Sequence, residues 1–123
     1  MSDPRDNTIN YVEFPVRDPA ATRKFFESVF GWQFTDWGSD YMSFRDGRMD
    51  GGFYRAEATA RVETGSALCV LYHSDIEGCL EKVVEAGGAV SKDIFSFPGG
   101  RRFHFLEPSG NELAVWSEPV EAS

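Results

Sequence analysis

Proton transfer and metal ligation near neutral pH need imidazoles or carboxylates fixed on a strand face, and this chain offers few in such places. His104 alternates with Phe103 and Phe105. If the two rings face a helix layer, the imidazole faces the other way, toward a cleft. There it can take a ligand or catalytic role, or simply pack. His73 ends a strand on the same side as Leu71 and Cys69, and reads as a structural histidine. Glu13 sits on the non-core side of the first strand. It can accept hydrogen bonds from a ligand, act as a base if burial raises its pKa, or pair with an arginine such as Arg102. Glu112 has the same readings, with an ion pair or simple solvation favoured because it abuts a turn. Glu13 and His104 are the candidate catalytic residues.

Around these few polar groups the chain sets many rings. Tyr11, Tyr41, Phe53, Tyr54, Tyr72 and Trp116 recur on the faces a cleft would use. Rings with a few polar tips suit a flat, mostly apolar ligand, and the same residues can also fill a core or a dimer interface. With Glu13 and His104 they make up the candidate ligand-binding set. Gly99-Gly100-Arg101-Arg102 can cradle an anion, but reads better as a mobile loop carrying exposed arginines. Phosphate-binding loops, dinucleotide fingerprints, nucleophile elbows and paired CxxC motifs do not occur.

Bulk properties bound the function. A length of 123 residues fits one domain, and 41% hydrophobic with 15% aromatic content supports a core without disulfide or structural metal. The net charge of −8 sets up a field that repels a phosphate backbone, so no nucleic-acid partner is expected. Cys69 and Cys79 make neither a metal pair nor a disulfide framework. The N-terminal stretch lacks a signal-peptide core, and no apolar run reaches membrane-spanning length, so a reducing cytoplasm is the expected compartment and no membrane partner is expected.

The elements that must position these residues follow from periodicity. Ile9–Val16 alternates as a half-buried strand, with Val12, Phe14 and Val16 inward and Tyr11, Glu13 and Pro15 outward. Asp18 caps a helix opened by Pro19, striped by Phe25, Phe26, Val29 and Phe30, and stopped by Gly31. Short strands are expected at 32–36, 41–45 and 52–55. Residues 56–66 carry no period and read as a linker. The pattern then restarts: a strand at 67–73, a helix capped by Asp75 with Ile76, Leu80, Val83 and Val84 inward, a stop at Gly87-Gly88, and strands at 89–95, 102–106 and 112–116. Asp18 and Asp75 lie 57 positions apart, as do Gly31 and Gly88. At that offset Phe14 meets Leu71 and Val12 meets Cys69, which keeps the apolar face. The chain is therefore an α+β domain over 9–118, built from module one (9–55), a linker (56–66) and module two (67–118), with flexible tails at 1–8 and 119–123.

Val12-Glu13-Phe14-Pro15-Val16-Arg17-Asp18-Pro19, Phe25-Phe26, Val29-Phe30-Gly31-Trp32 and Glu107-Pro108-Ser109-Gly110-Asn111-Glu112-Leu113 carry a resemblance. The chain resembles the vicinal oxygen chelate superfamily of glyoxalases, extradiol dioxygenases, and fosfomycin and bleomycin resistance proteins. The resemblance implies two βαβββ modules forming a curved mixed sheet around a cleft, with helices on the outer face. It also implies a homodimer, and a divalent metal held by His, Glu or Gln from the first and last strands of each module. The matching positions here are Tyr11, Leu68, Ala114 and Phe53, or Tyr54 if the register moves by one. None is a good ligand for a catalytic divalent ion.

These readings converge on a small-molecule-binding protein without the family's metal centre, taking a small aromatic or hydrophobic ligand. The alternative is a glyoxalase-like lyase, isomerase or dioxygenase. It would use a non-standard divalent metal site, such as Glu13 with His104 and Glu112, or metal-free acid–base chemistry.

Overall fold

The computed structural model describes residues 3–120. The first module runs β1 (Tyr11–Val16), α1 (Pro19–Phe30), β2 (Gln33–Asp36), β3 (Tyr41–Arg45) and β4 (Asp50–Arg55). The second runs β5 (Cys69–Tyr72), α2 (Ile76–Glu85), β6 (Ala89–Phe97), β7 (Gly100–Leu106) and β8 (Glu112–Ser117). Each builds a four-stranded mixed sheet, ordered β1-β4-β3-β2 and β5-β8-β7-β6. In both, the first strand pairs in parallel with the last and the remaining pairs are antiparallel. The repeated topology is the one expected from the 57-residue offset, and the α+β class with open curved sheets stands.

The two helix starts are chemically the same. The Asp18 carboxylate accepts from the Ala21 amide at 3.1 Å, and that of Asp75 accepts from the Gly78 amide at 3.1 Å. The stops differ. α1 ends on Gly31 in the left-handed region (φ 70°), where its N–H returns to the Glu27 carbonyl. α2 is shorter, ends through Ala86, and leaves the left-handed step to Gly87 (φ 98°). Gly88, which matches Gly31 by offset, is used for close packing instead, because a Cβ there would press on Val83 and Phe25.

Alternation sorts each sheet into a core face and an opposite face. Phe14, Val16, Met42, Phe44 and Phe53 are buried with Phe25 and Phe26 of α1. Trp32 stacks between Phe26 and Phe44, with ring centroids 4.4 Å away on either side. Phe103, Phe105, Leu113 and Val115 form the matching face of the second sheet, with Ile76, Cys79 and Val83 of α2. Phe25 and Phe30 reach Phe105 at 5.7 and 5.9 Å, so the two modules share one core.

Polar contacts fasten the same junction. The Asn111 amide donates to the Pro15 carbonyl at 2.7 Å and accepts from the Ala60 N–H at 2.8 Å. The hydroxyl of Thr22, in α1, donates to the buried Glu107 carboxylate at 3.1 Å. Burial pushes Glu107 up to about 7, against hydrogen bonds from Ser109, Thr22, Asn111 and Gly110 that favour the charged form.

Several expectations need correction. Val84 is 53% exposed, and Cys79 takes its place on the inward stripe of α2. The expected loop with exposed arginines is a tight turn between β6 and β7 over 97–100, and Arg101 and Arg102 are half-buried strand residues of β7. Gly100 begins that strand because a side chain there would strike the Ser117 carbonyl. The linker contains a short 3₁₀ turn at Val62–Thr64. Residues 3–8 form hydrogen-bonded turns, with Arg5 paired to Asp3 at 2.6 Å. The tail expectation at 1–2 and 121–123 lies outside the described residues.

Candidate functional site

On the face of the first sheet away from α1, alternation and register bring together Tyr11 and Glu13 of β1, Tyr41 and Ser43 of β3, and Asp50, Gly52 and Tyr54 of β4. Tyr41 is the hub. Its hydroxyl donates to Glu13 Oε2 at 2.8 Å and is hydrogen-bonded to the Tyr11 hydroxyl. Gly52 lies beneath this chain, and a Cβ there would collide with the Tyr41 hydroxyl. Burial, followed by the bonds to Tyr11 and Glu13, holds the Tyr41 phenol well above its usual range, so it stays a neutral donor. Tyr11, Tyr41, Ser43 and Asp50 line a cleft of about 670 Å³ together with Gln33, Thr35, Trp37 and Arg45. Trp37 Nε1 donates to the Ser43 hydroxyl at 2.9 Å, which fixes the indole over that wall.

On the second sheet, His104 Nδ1 lies 2.9 Å from Glu112 Oε2. A carboxylate only accepts, so Nδ1 carries a proton, and Nε2 is the ring nitrogen that Glu112 does not hold. His104 is 2% exposed, and its Nε2 is buried with no partner among the described residues. Burial works against the charge on Glu112, but the bonds from His104 and the Val62 amide hold its carboxyl below the usual range. Tyr72 and Trp116 meet edge to face at 5.1 Å on the same sheet, and the Tyr72 hydroxyl donates to Glu118.

The expected residues thus divide. Tyr11, Glu13 and Tyr41 come together, with Tyr54 beside Tyr41 in register. Tyr72, His104 and Trp116 belong to the other sheet. Phe53 is corrected: it is 1% exposed, stacked on Phe14 in the core, and Tyr54 takes the outward place in β4. His73 is structural, its Nδ1 accepting from the Asp75 amide at 3.0 Å. Glu13 pairs with a tyrosine rather than with Arg102. Ser43, Trp37 and Asp50 were missed. The alternation from Tyr41 places Ser43 on the same face, whereas Trp37 reaches the cleft from a turn that no periodicity describes.

A divalent metal was tested against the donors present. Among the described residues no three His, Cys, Asp or Glu side chains come together as a metal-holding group. Glu13, His104 and Glu112 therefore do not converge, although His104 and Glu112 pair. The positions the family uses hold a phenol, hydrocarbon and an exposed ring, which do not fit a catalytic divalent ion.

A model of the Glyoxalase/Bleomycin resistance protein/Dioxygenase superfamily matches residues 8–115, and the chain belongs to that superfamily. “Putative glyoxylase CFP32” of Mycobacterium tuberculosis (strain CDC 1551 / Oshkosh) is 26% identical over 132 residues, covering 94% of this chain and 47% of that protein. The chain thus spans about half the length of the curated relatives it matches. A mutant of the fosfomycin resistance protein FosX from Listeria monocytogenes, complexed with Mn(II) and 1S,2S-dihydroxypropylphosphonic acid, superposes with TM-score 0.76 at 13% identity, over 94% of this chain and 93% of that one. A family enzyme from Burkholderia phytofirmans PsJN superposes with TM-score 0.75 at 16% identity, over 89% and 97%. At these identities the structures speak for the fold alone. No described helix is long and apolar enough to cross a membrane.

Proposed function

We propose that this chain is a small-molecule-binding protein of the glyoxalase and bleomycin resistance fold. It takes a small aromatic or hydrophobic ligand on the faces away from the helices, with a hydroxyl–carboxylate cluster where relatives keep a metal. The observation that carries this reading is Tyr11 and Tyr41 in the wall of an open cleft, with Glu13 bonded to the Tyr41 hydroxyl. Tyr11 is 41% exposed there, so its ring is available to a flat partner. The phenols and the carboxylate supply the few directional contacts that set orientation.

Protein dialysed against a chelator is expected to bind a neutral aromatic probe, 2-naphthol, as well as undialysed protein does, and Tyr41→Phe is expected to weaken that binding several-fold. Tight, stoichiometric divalent metal whose removal abolishes binding would overturn the reading.

Assembly and compartment belong to the same proposal. The chain forms an isologous homodimer in the cytoplasm, where Cys69 and Cys79 stay as the free thiols seen here. A monomer by sedimentation at micromolar concentration, or recovery outside the cytoplasm on cell fractionation, would count against it.

One observation favours a second reading, an enzyme of the lyase or isomerase type working by proton transfer. Glu112 orients His104, and Nε2 is left without a partner among the described residues. Turnover of 2-oxoaldehyde adducts that survives chelation and is lost in His104→Gln would establish it. Turnover unchanged in that variant would remove it.

A further inference from the structure

We infer that Arg102 and the rings around it form a recognition site for the carboxylate of a flat aromatic molecule. The inference rests on the ligand-binding reading above and adds the charge of the ligand.

Arg102 lies on the face of the second sheet away from α2, two residues before His104. Its cross-strand neighbours are Phe95 on β6 and Trp116 on β8. The guanidinium carbon stands 5.3 Å from the Phe95 ring centroid and 5.6 Å from that of Phe97. The Lys92 ammonium stands 5.6 Å from the same Phe95 ring. Two cations therefore contact one aromatic ring. Among the described residues neither forms an ion pair. Arg102 Nε is buried without a hydrogen-bond partner.

That arrangement is unexpected in a chain with 20 acidic and 12 basic residues. The adjacent Arg101 shows the ordinary outcome, since its two Nη groups grip the Glu77 carboxylate at 2.6 and 3.1 Å. Arg102 points to the other face of β7, where no described carboxylate comes to meet it. Stacking on rings strips water from a guanidinium and holds its plane, but leaves its outer donors free. A planar donor fork of this kind matches a carboxylate in two parallel bonds. Beyond it, Trp116 and the 49% exposed Tyr72 offer ring surface for the aromatic body of the ligand. The overall field of the protein repels anions, so selectivity for one must come from a local site such as this.

The test compares 2-naphthoate with the neutral 2-naphthol by titration followed in proton–nitrogen spectra, with the Trp116 indole assigned through Trp116→Phe. The expected result is that naphthoate shifts the Trp116 indole and the Arg102 Nε–H. It should also bind about tenfold more tightly than naphthol. Arg102→Gln should abolish that preference, and Arg102→Lys, which keeps charge but not the fork, should retain part of it. The inference is overturned if both probes bind alike, if neither binds at millimolar concentration, or if the preference survives in a folded Arg102→Gln protein. Tyr41→Phe separates the two readings. Equal binding of both probes that Tyr41→Phe weakens leaves ligand binding standing and removes the Arg102 site. A carboxylate preference that Tyr41→Phe does not touch supports the Arg102 site and counts against the tyrosine anchor.

Discussion

The Tyr41 hydroxyl donates to the Glu13 carboxylate at 2.8 Å, and this single bond joins two strands that are not neighbours in the sheet. β4 runs between them, and it can be bridged because Gly52 has no side chain there. Burial and the two partners raise the Tyr41 phenol above its usual range. A raised folded value means that the bond contributes fully below the phenol's ordinary pKa and is lost as pH climbs through the raised one. In an alkaline titration followed by tyrosinate absorbance, late-ionising tyrosines are therefore expected. Tyr72, held up by Glu118, is also among them. Tyr41→Phe should remove one late component and leave the other. A titration curve unchanged by the substitution would refute the bond.

Gly52 tests the same cluster from below. Gly52→Ala places a methyl group against the hydroxyls of Tyr41 and Tyr11. Both are ends of side chains that can swing away, so the fold should survive with a stability change of about 1 kcal/mol or less. The late tyrosine component should fall toward ordinary behaviour, and 2-naphthol affinity should drop several-fold. Unaltered affinity would mean that the cluster does not touch the ligand.

Asn111 is expected to matter for stability rather than for ligand affinity. Asn111→Ala leaves the Pro15 carbonyl and the Ala60 N–H without their partner at a buried junction. Two orphaned backbone groups should cost roughly 2–4 kcal/mol in denaturant unfolding. A loss below about 1 kcal/mol would show that water replaces the amide freely.

Glu107 should give the protein a pH-dependent stability of a particular sign. Its carboxyl is raised to about 7 in the folded chain, so the neutral form is favoured there. The resulting stability is fully present below the unfolded carboxyl value, and is lost as pH rises from there through about 7. Glu107→Gln keeps the shape without the ionisation. Relative to wild type, the variant should gain ground between acid and neutral pH, by up to the order of 3 kcal/mol. A constant difference between the two proteins across that range would rule this out.

Much of the fold is legible in local chemistry. Asp18 before Pro19, Gly31 after Phe30 and the alternation of Val12, Phe14 and Val16 each state a local preference that the fold keeps. The recurrence at 57 residues carried the topology, because a duplicated module repeats its strand order. Face assignment failed in β4, where Gly51-Gly52-Phe53-Tyr54 carries no apolar alternation to set a face. Phe53 and Tyr54 are adjacent, so only one can face outward; the pairing of Phe53 opposite Phe14 puts Phe53 in the core and Tyr54 outside. Val84 fails similarly, since a three-turn helix buries a stripe narrow enough to leave one edge position exposed.

Residue identity and spacing are enough for the helix caps, the repeated strand order, the apolar faces of β1 and α1, and the residue types at the positions where the family places metal ligands. Which polar groups meet is set by the three-dimensional packing. Tyr41 and Glu13 are 28 residues apart, and Thr22 and Glu107 are 85 apart. Such partners are chosen by sheet register and by the docking of one module on the other, which no local period encodes. The same is true of Arg101 and Arg102, adjacent in sequence, of which one finds a carboxylate while the other, on the opposite face of β7, lies among rings.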